Sequence, residues 1–458
     1  MLYRVSPILL LLLCACAQTQ DYQRPPAPVA QEWPAGLDVS GKEEATKTHW
    51  RSFFVDPRLQ ALISAALENN RDMRIAIERI REARAQYRIV DADRLPSVNL
   101  AGSATIGSTP ADLSGTGTVI NGQRYDLALS NISYEVDFWG RVASLSESAK
   151  RSFLATAQAR RAYELSLISE VATTYFQQLQ LTEISSLARA NLASRESSLD
   201  VVEKGRAVGG VEDYEYQAAR AAVESARNDL DSVDYQRIVA TNKLNYLVGE
   251  TPSDLPPGLD LAHQGLDASL SPGLPAEVLL LRPDVMAAEQ RLIAAHANID
   301  AARAAFLPKV ALTASLGLAS QGLSSLFNGT AWSFQPIISL PLFDGGKLAA
   351  GRDLAEARKV IAVADYEKTI QMAFREVADL LAARASLARQ MRSAQINEEA
   401  QLRRMDIVLA RHKVGLVGVL EVLDGERNLV ASQQSALQTR RAQLDVAAQL
   451  YKALGGGA

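Results

Sequence analysis

Thiols, imidazoles and clustered carboxylates are the side chains that could carry covalent, metal or acid–base chemistry, and this chain places few of them usefully. Its two cysteines, Cys14 and Cys16, both stand near the N-terminus, so the rest of the chain has no thiol for a disulfide, a thiolate metal site or a nucleophile. The four histidines, His49, His263, His296 and His412, are scattered with no second ligand at the spacing of a zinc or catalytic site. No Gly-rich phosphate loop and no Gly-x-Ser-x-Gly elbow occurs. A net charge of −4 argues against a nucleic-acid surface. The expectation is a protein that is not an enzyme, holds no metal and binds no nucleic acid.

One reaction remains for the thiols. Arg4, the apolar run Ile8 to Leu13 and the small residues around Ala15 have the order of a secretory signal. The apolar run is too short to cross a bilayer, which takes about 20 residues. Leu13-Cys14-Ala15-Cys16 resembles the bacterial lipobox, whose cysteine is diacylated and becomes the new N-terminus. Cys14 fits that pattern less well, because Leu13 directly precedes it. The other reading is plain cleavage after Ala15-Cys16-Ala17, an A-x-A-like site. Lipidation of Cys16 is the reading taken, with residues 1–15 as signal peptide and the covalent lipid as the only non-protein group. The resemblance to lipoproteins implies outer-membrane sorting, since Ala17 and not Asp follows the cysteine.

The chain repeats itself. Ile132-Ser-Tyr-Glu-Val-Asp-Phe-Trp-Gly-Arg141 reappears, loosened, as Ile338-Ser-Leu-Pro-Leu-Phe-Asp-Gly-Gly-Lys347, and the same offset carries Val208-Gly209 onto Val414-Gly415. Leu95-Pro96-Ser-Val98 and Leu307-Pro308-Lys-Val310 match at a slightly longer offset. Ordered matches of this kind indicate one duplicated unit, and two copies are too few for a solenoid.

Each half is expected to hold a long helical hairpin, Val142 to Val248 and Leu348 to Leu454. Neither Arg141 to Arg206 nor the stretch after Gly346 contains a proline, and apolar residues recur at helical spacing, as in Leu165, Ile168, Ala172, Tyr175, Leu179 and in Ile370, Phe374, Val377, Leu381. Gly209 and Gly415 supply the left-handed residue that ends a helix and reverses the chain. Upstream of each hairpin lie two segments alternating at strand period, about 97–108 and 124–137, then about 309–320 and 331–342. Strands of about 10 residues with one apolar and one small polar face are what a membrane β-barrel requires. Trp139 and Trp332, at strand ends, fit a lipid–water boundary. Four strands cannot close a barrel, for which about 8 is the minimum, so the chains must associate. Three copies give a 12-stranded barrel with a helical tube.

Several motifs together resemble the TolC/OprM type of outer-membrane efflux factor, in its NodT-like lipoprotein branch. They are Glu135-Val-Asp-Phe-Trp-Gly-Arg141, Leu281-Arg-Pro-Asp-Val285, Ala301-Ala-Arg-Ala-Ala-Phe-Leu-Pro308, Leu340-Pro-Leu-Phe-Asp-Gly-Gly346, Ala373-Phe-Arg-Glu-Val-Ala-Asp379, Leu420-Glu-Val-Leu-Asp424 and Tyr451-Lys-Ala-Leu-Gly-Gly456. The resemblance runs from Trp50 to the C-terminus and implies an α+β membrane protein. Its trimer would join an outer-membrane barrel to a periplasmic α-barrel. It implies docking to a periplasmic adaptor and an inner-membrane transporter of the resistance-nodulation-division class, with passive export of small molecules. Type I protein secretion and a purely structural envelope coiled coil are the alternatives; the lipobox and the Tyr451–Gly456 ending favour efflux.

On the same resemblance Val208, Gly209, Val414, Gly415 and Leu416 form adaptor-facing tips. Asp406 matches an acidic gate ring, while the acidic position two residues after Gly415 is Val417 here. The gate expected is a constriction at Leu416 and Val417 with Asp406 near it. The organisation read is a lipidated tether over 16–50, repeats over 51–248 and 284–458, and an equatorial linker over 249–283 in which Pro283 starts the next helix.

Overall fold

The computed structural model describes residues 22–34, 43–44, 48–251, 254–266, 270–271, 273 and 275–457; the signal segment and Cys16 lie outside the described residues. Its helices in chain order are α1 (Trp50–Phe53), α2 (Pro57–Asn69), α3 (Arg71–Ala92), α4 (Arg141–Ala207), α5 (Asp213–Val248), α6 (Pro275–Leu280), α7 (Pro283–Ala304), α8 (Lys347–Lys413) and α9 (Val419–Ala453). Its strands are β1 (Glu43–Glu44), β2 (Asn99–Thr109), β3 (Ile120–Val136), β4 (Leu270–Ser271), β5 (Lys309–Ser320) and β6 (Thr330–Ser339). The duplication is visible in this order: α3, β2, β3, α4, α5 is followed by α7, β5, β6, α8, α9. A helix therefore precedes each strand pair; the one that starts at Pro283 was expected, and its counterpart α3 in the first half was not.

The chain divides into two compact units. One holds the described residues up to Pro26 with Arg79–Ala157 and Ala287–Tyr366; the other holds those of Ala27–Glu78, Gln158–Met286 and Glu367–Ala458. The first is built on an antiparallel sheet of order β2-β3-β5-β6. β3 begins at Ile120, four residues before the expected start, because Gly122 pairs with Gly107 inside the ladder and does not break it. β6 ends at Ser339, short of Leu342. Pro341 has no N–H for the ladder and restricts Leu340 before it.

α4 and α8 contain 67 residues each, about 100 Å of helix at 1.5 Å per residue. Their starts are set by carboxylates on backbone donors: Asp137 accepts from the N–H groups of Val142 (3.1 Å) and Ala143 (2.7 Å). Asp344 accepts from those of Gly346 (3.0 Å) and Leu348 (2.8 Å). These bonds satisfy donors that a helix leaves unpaired and place negative charge at the positive end of its dipole.

In the second unit the helical faces read from the sequence are buried, with Ile168, Ala172 and Tyr175 on α4 and Ile370, Val377 and Leu381 on α8 at 2% exposure or less. Its polar centre is Asp56, which is fully buried. One carboxylate oxygen caps α2 through the Arg58 and Leu59 N–H groups. The other accepts from the Tyr175 hydroxyl (2.9 Å), the Leu259 N–H (3.0 Å) and Gln264 Nε2 (2.8 Å). One side chain thus joins α2, α4 and the inter-repeat linker, with every lone pair used, as a buried carboxylate requires.

Candidate functional site

The sheet offers two chemically distinct faces, and the pairing register identifies them. Trp332, Phe334, Pro336 and Ile338 of β6 lie opposite Leu316, Ala314, Leu312 and Val310 of β5. Leu316 and Leu318 lie opposite Leu129 and Leu127 of β3, which face Leu100 and Gly102 of β2. Directly paired residues share a face, so this side is an almost continuous apolar surface. The other side carries Ser103, Thr105, Ala128, Ser130, Thr313, Ser315, Gly317, Ser333 and Gln335. Leu100 is 70% exposed, Trp332 75% and Ile338 72%, so the apolar face has no cover among the described residues. β2 and β6 are the outer strands and have no further partner among the described residues. An uncovered apolar face and two open edges together are an unfinished structure.

The hairpin turns are twins. Gly209 (φ +76°) and Gly415 (φ +73°) take the left-handed conformation. Around Gly209, the Gly210 N–H donates to Gly205 O and the Gly209 N–H to Arg206 O, both at 2.9 Å. Around Gly415, the Leu416 N–H donates to Arg411 O (3.0 Å) and the Gly415 N–H to His412 O (2.9 Å). Both are Schellman closures. They are braced differently. Arg206 pairs with Asp213 at 2.6 Å and lies 4.3 Å over the Tyr216 ring, while His412 Nδ1 donates to Val417 O at 2.9 Å. Val208, Val414 and Leu416 are 83%, 70% and 69% exposed, which helix capping does not require.

Val417 turns the other way, packing half-buried on Met405, Val408 and Val422 inside its own hairpin. Asp406 is exposed on α8. Trp139 is half-buried beyond β3, its Nε1–H donating to Pro308 O at 2.8 Å, so it clips the end of β3 to the start of β5. Trp332 is exposed on β6.

Sequence reasoning missed a charged node around Arg282, which is 7% exposed. Its guanidinium donates to Ala453 O at the end of α9 (2.7 Å), to both oxygens of Asp284 (3.1 and 2.8 Å) and to Glu376 (2.8 Å). Lys452 also reaches Glu376, at 2.9 Å. Burial alone would raise the pKa of either carboxyl, but Arg282 on Asp284, and Lys452 with Arg282 on Glu376, hold both below the usual range. An arginine between Leu281 and Pro283-Asp284 was the available signal, since a charged residue at a helix start is rarely buried unless paired. Asp445 on α9 is the opposite case: burial pushes its carboxyl up to about 6, and Arg441, 3.5 Å away, offsets this only in part. Among the described residues no group of three or more His, Cys, Asp or Glu side chains could hold a metal ion.

The model of the outer membrane efflux protein family matches residues 62–250 and 274–456. The chain is 41% identical to the solvent efflux pump outer membrane protein SrpC of Pseudomonas putida, over 98% of this chain and 97% of that protein. It is 40% identical to the cation efflux system protein CusC of Escherichia coli, over 98% and 97%. The open-state crystal structure of the MtrE outer membrane channel of Neisseria gonorrhoeae superposes with a TM-score of 0.89 at 37% identity, covering 96% of this chain and 98% of that one.

Proposed function

The chain belongs to the outer membrane efflux protein family, and from that premise we propose that three copies form an outer-membrane exit duct of a tripartite efflux system. The observation that carries this reading is the four-stranded sheet with an apolar face, a small polar face and two open edges. In hydrocarbon an open edge leaves backbone groups unpaired at several kcal/mol each, so only a closed barrel is tolerated. Edge β2 of one copy pairing with edge β6 of the next closes twelve strands around a polar lumen. The apolar face then meets lipid and the small polar side chains line water. The hairpins of the three copies supply the periplasmic tube.

Such a duct needs no catalytic group. Its relatives are outer-membrane parts of solvent, toluene, antibiotic and cation efflux pumps, so small molecules are the cargo class assigned. A periplasmic adaptor and an inner-membrane transporter of the resistance-nodulation-division class complete the path. The adaptor contacts assigned are Val208, Gly209, Val414, Gly415 and Leu416, whose exposed apolar side chains gain by burial against a partner. The gate assigned is Asp406 and Leu416, with Val417 holding the turn from within its own hairpin. Lipidation of Cys16 anchors the N-terminus in the same membrane, and Trp139 and Trp332 mark its boundaries.

Native mass spectrometry of the protein extracted from outer membranes in detergent tests stoichiometry and modification together. Trimers whose subunits begin at an acylated Cys16 support the reading. A stable monomer overturns it, and an unmodified N-terminus at Gln18 overturns the lipid alone.

A further inference from the structure

Within the sheet, charge is confined to few positions. β2 and β6 contain no charged residue; β5 has only Lys309 at its first position, and β3 has Glu135 near its last, paired with Arg141 at 2.7 Å. That leaves Arg124 and Asp126 as the charges away from the ends where the strands join α4 and α7. They are two apart on β3 and hence on one face. Asp126 lies opposite Ser103 and Ala319, and Arg124 opposite Thr105, which places both on the small polar face. The Arg124 Nε–H donates to both Asp126 oxygens at 2.9 Å.

Their level in the sheet is specific. β5 stops pairing with β3 at Tyr125↔Ser320, while β2 and β3 stay paired out to Thr109↔Ile120. Asp126 is therefore among the last β3 residues with a strand on both sides, and Arg124 stands where β2 and β3 run on past the end of β5, with the 3-10 turn Leu323–Asn328 beside β3. The neighbours across the ladder are Ser, Thr and Ala, too short to screen either group. Arg124 keeps 68% of its side-chain surface exposed and Asp126 only 25%, so the guanidinium is the outward charge of the pair.

We propose that Arg124 and Asp126, repeated three times, form a charged ring at the outer mouth of the duct that biases which ions and charged compounds cross it. The inference rests on the duct reading, which turns the small polar face toward the lumen. Backed by Asp126, the Arg124 ring favours anions and holds back cations at the mouth. Removing one member leaves three unbalanced charges around the lumen, expected to change the cation-to-anion permeability ratio about two-fold at low salt, where screening is weakest.

The test is the reversal potential of the full-length protein in planar bilayers under a potassium chloride gradient. Arg124→Gln raises the cation-to-anion ratio about two-fold, Asp126→Asn lowers it about two-fold, and the double variant, which lacks the ring, lies between the two single variants and above the wild-type value. The same ratio in all four proteins overturns the ring. Absence of conductance in every protein, wild type included, sinks the duct reading and this inference with it. Ser103→Cys keeps the pair intact and provides a second measurement that needs no charge removal. A negatively charged methanethiosulfonate added from the outer side modifies it faster, relative to a positively charged one, than it modifies the same cysteine in the double variant. Equal relative rates overturn the proposal.

Discussion

Replacing Arg282 by Met keeps the volume and removes the charge from a node where one guanidinium serves Asp284, Glu376 and the Ala453 carbonyl. Removing one partner of a sealed ion pair costs about 3–5 kcal/mol. Here Asp284 and Glu376 keep 40% and 31% of their side-chain surface exposed, and Lys452 still reaches Glu376, so water and Lys452 recover part of the loss. The expected cost at neutral pH is about 2–3 kcal/mol, several degrees in the unfolding midpoint.

The pH dependence gives an independent reading. Both carboxyls are held below their ordinary range, so their contribution is fully present above the unfolded pKa of about 4 and is lost as pH falls through the depressed folded values. Arg282→Met takes away the cation that depresses Asp284 and part of what depresses Glu376. The gap between wild type and variant should narrow steadily as pH drops below about 4. Thermal unfolding in detergent at pH 7.5, 5 and 3 measures both effects. A variant as stable as wild type at pH 7.5, or a gap unchanged across that range, refutes the reasoning.

Three further outcomes follow from the same geometry. Asp445→Asn should stabilise by about 1 kcal/mol at pH 8 and by little at pH 4; the carboxyl, raised to about 6, favours the folded state only when protonated and loses stability as pH climbs from about 4 to about 6. Thermal midpoints at the two pH values check it. Gly415→Ala meets no atom within 4 Å, so its cost is the positive φ alone, about 1–2 kcal/mol borne locally by the turn. Faster amide exchange at Gly415 and Leu416, with the global midpoint unchanged, is the expected observation. Asp406→Ala should raise the open probability in bilayers and the leakage of large antibiotics into cells; unchanged conductance and leakage would remove Asp406 from the gate.

Much of this architecture could be read in advance, and for definite reasons. The 67-residue helices announce themselves through the absence of proline and the two Val-Gly turns, and the strands through period-two alternation with Gly/Ser breaks. α3 was hidden because eight of its 22 residues are arginine or glutamate on a largely exposed surface, which blurs the 3.6 period. The roles of Asp56 and Arg282 depend on partners as distant as Gln264 and Glu376, which no local pattern reveals. The sequence expectation is a constriction at both Leu416 and Val417, but Val417 packs into its own hairpin. Its inward packing follows from the turn geometry that His412 fixes, and one residue of rotation decides it.

The unpaired strands also shape how the protein comes into being. A newly exported chain carries two adhesive edges and a greasy sheet before any neighbour has arrived, a state prone to edge-to-edge aggregation. Completion depends on three such chains meeting, so in the dilute limit yield varies with the cube of their supply. Halving export would cut the assembled product about eight-fold. Escort factors in the periplasm, and the dose of the gene itself, then set the number of working pores as firmly as any bond within the finished barrel.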